Sequence, residues 1–123
     1  MNKPFANTRR ALIAGDQVVE VLDLGNYLEV KGWTMVHTAT DAPVAGQMLR
    51  RAQRPYDLII VALRQDKPGA QDLLHSAMVT GSAVVVINGS GSSLRGPQVA
   101  FVSRPYGDRD LDMAITRLAL DLT

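Results

Sequence analysis

The 123-residue chain contains no cysteine, which excludes a disulfide framework and a thiolate zinc site and fits a cytoplasmic protein. No apolar run approaches the roughly 18 residues needed to cross a bilayer, and Met1 to Arg10 lacks the apolar centre of a signal peptide. A charge excess is missing too: 13 Lys and Arg against 12 Asp and Glu leave a formal net charge of +1, so no global field draws the chain to nucleic acid or acidic lipid. Of the two histidines, neither His37 nor His75 stands at a spacing that pairs it with a Ser or Asp, and both read as structural or surface residues. There is no G-x-G-x-x-G or G-x-S-x-G run, so an enzyme is not expected. What remains, 46% hydrophobic and 20% charged, is enough for one buried core and too short for two ordinary domains.

The order of patterns along the chain is strand, helix, strand, helix. The run Arg10 to Gly15 is short, apolar and closed by glycine. From Gln17 to Lys31, Val18, Val21, Leu22, Tyr27 and Leu28 recur at helical spacing, with Glu20, Asp23 and Lys31 elsewhere on the wheel. Trp33 to Thr38 alternates like a strand, and Asp41 to Arg54 reads as a helix with Asp41 as N-cap and Pro43 in its first turn. Leu58 to Leu63 and Ala83 to Ile87 are nearly continuous aliphatic runs, as in central parallel strands covered on both faces. Gly69 to Val79 supplies a helix between them. Val99 to Ser103 closes the set of strands, and Asp108 to Leu122 carries the stripe Leu111, Ile115, Leu118, Leu122 behind two aspartates, Asp108 and Asp110, at its start. Such alternation predicts an α/β fold of the flavodoxin-like, doubly wound type: a five-stranded parallel sheet in the order 2-1-3-4-5. Ligands on such sheets sit at the carboxyl ends of the strands, which brings the loops after Ala14, Ala62 and Ile87 together.

Four segments, in order, resemble the receiver domain of bacterial two-component response regulators (the CheY-like family). Ala11 to Gln17 resembles the first strand with its acidic pair, and Asp57 to Ala62 the strand carrying the phosphoacceptor aspartate. Ala83 to Gly89 resembles the fourth strand with its hydroxyl residue, and Phe101 to Tyr106 the fifth strand with its Lys-Pro. The resemblance covers residues 9–123 as a single receiver-like domain after a flexible N-terminus, 1–8. It implies a cis bond between Arg104 and Pro105. It also locates the phosphorylation-site positions, and most are changed: the acidic pair is Gly15 and Asp16, the phosphoacceptor position is Ala62, the hydroxyl position is Asn88 and the lysine position is Arg104, followed by Pro105. One carboxylate is a poor Mg²⁺ site, because that ion wants six oxygens, so neither metal nor cofactor is expected. Asp66, a conceivable substitute nucleophile, lies beyond the strand and reads as a solvated turn residue. Receivers place a full helix between the fourth and fifth strands, whereas Gly89 to Pro97 is rich in glycine and serine. The fourth helix is therefore expected to be shortened or missing.

The resulting expectation is a degenerate, stand-alone receiver-like domain that is not phosphorylated at the family position and acts by protein–protein contact in two-component (phosphorelay) signalling. Its partner would be a histidine kinase, another response regulator or a second copy, with no nucleic acid and no membrane involved. The contact surface is expected at the Gly89 to Pro97 loop, the fifth strand and the final helix. The alternative is a small-ligand or anion sensor built from Asp16, Asn88, Gly89, Ser90 and Arg104 at the strand ends, where glycine-rich backbone can cradle an anion. Arg104 either serves that anion or pairs internally with Asp16. Arg50, Arg51 and Arg54 form a solvated helix face or contact an acidic partner. Met35, Met48 and Met78 read as core fillers, and Tyr27 and Trp33 as packing around the first helix and edge strand.

Overall fold

A computed structural model describes residues 9–64, 69–87 and 98–118. Within them, five strands alternate with four helices: β1 (Arg10–Gly15), α1 (Val18–Val30), β2 (Met35–Ala39), α2 (Ala42–Arg51), β3 (Leu58–Ala62), α3 (Ala70–Val79), β4 (Ala83–Ile87), β5 (Val99–Val102) and α4 (Asp108–Arg117). All neighbouring strands are parallel, and the sheet order is β2-β1-β3-β4-β5, the doubly wound order expected from the sequence. Residues 1–8 and 88–97 lie outside the described residues, as do Asp66 and Leu122.

The two faces of the sheet carry separate cores. Ala11, Ile13, Leu58, Ile60, Ala62, Val85, Ile87 and Val102 face α1 and α4, while Leu12, Ala14, Ile59, Val61, Val84 and Val86 face α2 and α3. Side chains alternate between the faces with a period of two. β3 and β4 are buried at every position, which explains their unbroken aliphatic sequence. Asp41 caps α2 as expected, its Oδ1 accepting from the Val44 N–H at 2.9 Å. At the start of α4, the Asp110 carboxylate accepts from the Gly107 N–H at 2.8 Å.

Several side chains depart from the sequence expectation. Val18 and Leu22, assigned to the buried stripe of α1, are 70% and 61% exposed; the inward face is instead Val21, Leu24, Tyr27 and Leu28. The helix is apolar on more than one side, so its periodicity alone left the inward side undetermined. Met35 is exposed at the start of the edge strand, whereas Met48 and Met78 pack against the core as expected. Trp33 and Tyr27 are both buried.

Candidate functional site

The carboxyl ends of β1 and β3 meet at Gly15 and Ala62, which are register partners. Both lie on the α1/α4 face. Ala62 is buried, and the space beside it is already filled. A Cβ on Gly15 would stand 2.9 Å from Val21 Cγ2 and 3.3 Å from Ala62 Cβ, closer than apolar atoms pack. The neighbourhood of the two family acid positions is thus packed with methyl groups.

Arg104, which follows β5, reaches over this point. Its Nη2 lies 3.4 Å from the Ala62 carbonyl oxygen, and its fork closes on Glu20 of α1, Nε to Oε2 at 2.9 Å and Nη2 to Oε1 at 2.7 Å. The Tyr106 hydroxyl donates to the same carboxylate at 2.9 Å. Burial raises the Glu20 pKa, but the hydrogen bonds from Arg104 and Tyr106 and the guanidinium charge outweigh it and hold the carboxyl below its ordinary value. Burial, reinforced by the hydrogen bond to Glu20, pushes the Tyr106 phenol well above its usual range. The Arg104–Pro105 bond is cis, as the resemblance implied.

Of the two roles open to Arg104, an anion or internal pairing with Asp16, the structure shows internal pairing, with the fork on Glu20 and the charge of Asp16 acting on it as well. Glu20 is one turn further along the chain, where α1 has begun and its side chain turns back over the strand ends. A signal was present: a carboxylate in the first turn of the helix leaving β1 must lie near the carboxyl edge of the sheet. Asn88, Gly89 and Ser90, the remaining members of the proposed anion pocket, lie outside the described residues. His37, on β2, bonds through Nδ1 to the Tyr56 hydroxyl at 2.7 Å, and His75 is exposed on α3; the fold places neither at the strand carboxyl ends.

Beside the Arg104 fork, α1 and the β5–α4 segment border a groove of about 1080 Å³ lined by Glu20, Asp23, Tyr27, Tyr106 and Asp108 among others. A second link crosses this region: the Tyr27 hydroxyl donates to Asp112, which also pairs with Lys31 at 3.2 Å. On α1, Val18, Val19, Leu22 and Val30 are exposed. Successive turns of 3.6 residues bring them onto one outward side.

No protein-family model matches the chain, and no curated protein sequence matches it. Solved structures do. A response regulator receiver protein from Sinorhizobium medicae WSM419 is similar at TM-score 0.75 and 18% identity, over 90% of this chain and 94% of that one. SdrG from Sphingomonas melonis Fr1 is similar at TM-score 0.67 and 21% identity, over 94% and 99%. The receiver domain of the hybrid histidine kinase CckA is similar at TM-score 0.63 and 20% identity, over 89% and 98%. A de novo designed Rossmann 2x3 protein also matches, at TM-score 0.61 and 16% identity. Strand order, site position and these likenesses together give the chain the CheY-like fold of response regulator receiver domains.

Proposed function

We propose that this chain is a receiver-like signalling domain that is not phosphorylated at the family position and works by binding another protein. The observation that carries the reading is the packing at Ala62. A methyl group has no oxygen to attack phosphorus, Gly15 offers no metal ligand, and Val21 occupies the space a side chain at Gly15 would need. Arg104, at the family's lysine position, is engaged by Glu20, so an anion arriving there would have to compete with a carboxylate already in a two-point bond. Incubation with acetyl phosphate and Mg²⁺ should leave the intact mass unchanged. A gain of one phosphate, mapped to Asp16 or Asp66, refutes the reading.

The contact face is assigned to α1. Four exposed aliphatic chains beside an acid-lined groove are more apolar surface than a free helix face needs. Residues 89–97 lie outside the described residues, and β5 with the final helix, the surface expected from the sequence, offers less: β5 is largely buried and Met113 is the large exposed apolar residue of α4. The partner is a histidine kinase, a response regulator or a second copy. Leu22→Glu should weaken association, in sedimentation of the protein alone or with candidate partners, without lowering the melting temperature. Unchanged association moves the contact elsewhere.

A further inference from the structure

At the opposite pole from Ala62, a cleft of about 460 Å³ opens between the C-terminal end of α2 and the N-terminal ends of the strands. Its charged walls are Arg10, Arg51 and Arg54, with His37 and Tyr56 between them, and none of the described residues that line it is a carboxylate. Arg10, His37 and Tyr56 come from three separate segments. The register sets Leu12 beside His37 and Ile59, and Arg10 shares the face of Leu12, so these groups point into the α2 layer. The Arg10 guanidinium lies 5.0 Å over the Tyr56 ring, and its Nε is buried without a hydrogen-bond partner among the described residues. Asp57, just before β3, accepts from the Arg10 backbone N–H at 2.9 Å. Arg51 is exposed on the last turn of α2. Val44, Met48 and Ala52 add an apolar wall.

We propose that this cleft binds a small phosphate monoester, with the phosphate between Arg10 and Arg51 and the organic body against Met48 and Tyr56. An inward-facing donor without a partner is costly to bury, and an arriving oxyanion supplies the acceptor. Guanidinium groups from different elements suit the several oxygens of a phosphate. The carbonyl end of α2 opposes an anion, with about half a charge at the helix terminus; three guanidinium groups exceed it. The volume falls within the roughly 300–1,000 Å³ range of small-ligand sites, which favours a metabolite over a polymer. The proposal does not depend on the signalling reading, because it concerns the other end of the sheet.

The test uses AMP as probe, with adenosine, inorganic phosphate and a single-stranded oligonucleotide as comparisons, followed by amide NMR shifts of the whole chain and by calorimetry. AMP should shift the amides of Arg10, His37, Met48, Arg51 and Tyr56 together. Inorganic phosphate should shift the same set more weakly, and adenosine should bind at least tenfold more weakly than AMP. Arg51→Glu, at an exposed position, should weaken AMP binding at least tenfold, whereas Arg117→Glu, the same charge change on exposed α4, should leave it within twofold. Equal loss in both variants would reduce the effect to net charge and overturn the proposal. So would adenosine binding as well as AMP, shifts scattered over the surface, or binding of the oligonucleotide alone.

Discussion

Restoring a side chain at Gly15 is the most direct probe of how the carboxyl-end site has been filled. Gly15→Ala places a Cβ 2.9 Å from Val21 Cγ2, and overpacking of that kind costs about 1–3 kcal/mol. Because Gly15 lies within a strand, alanine also restricts the unfolded chain and returns about 0.4–1 kcal/mol. The net expectation is a loss between about 0 and 2.6 kcal/mol. Val21→Ala removes the obstructing methyl groups from a half-buried position and alone should cost on the order of 1 kcal/mol. In the double variant the clash disappears, so the two changes should cost less together than their sum by about 1–2 kcal/mol. Urea denaturation measures this, through a shift of midpoint at constant slope. Losses that add within about 0.3–0.5 kcal/mol, the range found for independent sites, would refute the claim that Val21 occupies the vacated space. Success has a functional corollary: Gly15→Asp should be tolerated better in a Val21→Ala background than alone.

Further outcomes test the elements around the site. Glu20→Gln should destabilise the protein by about 1 kcal/mol at neutral pH, since it breaks a charge-assisted fork that is partly exposed. The sign of its pH dependence follows from the lowered Glu20 pKa. The stabilisation is complete above the ordinary glutamate value near 4.5 and disappears as pH falls through the lower folded value. Melting curves of the two proteins should therefore converge in acid; a gap that widens below pH 4 would contradict the assignment. Asp41→Ala should cost about 1 kcal/mol through loss of the cap on the Val44 N–H, and Asp41→Asn should recover most of it in thermal denaturation.

The fold was legible because its signals were redundant. The aliphatic runs of β3 and β4, the capping aspartate of α2 and the order of segments all pointed to one doubly wound sheet. Gly15, Ala62 and Arg104 were also readable as a group, because the strands that carry them end at the same edge. Less legible was the partner of Arg104. Pairing Glu20 with Arg104 spans 84 positions, and no local pattern specifies which carboxylate near a strand end a guanidinium will choose. The inward face of α1 departs from the sequence expectation at Val18 and Leu22 for a related reason. An apolar helix that keeps some aliphatic residues outside gives no phase, and packing against β1 and β3 decides it. The cleft at Arg10 and Tyr56 has no local sequence signature, because its residues come from separate segments and meet only through the register of β1, β2 and β3.

The two links between α1 and the C-terminal region carry a consequence for how this protein opens. Glu20 joins α1 to Arg104 and Tyr106, and Tyr27 and Lys31 join it to Asp112 two turns further along. With α1 tied both to the segment that leads into α4 and to α4 itself, neither helix frays without breaking charged hydrogen bonds. In native-state hydrogen exchange, α1 and α4 should therefore open as one cooperative unit with a shared free energy, although residues 31–107 lie between them. Glu20→Gln should split that unit, leaving α4 to exchange before α1.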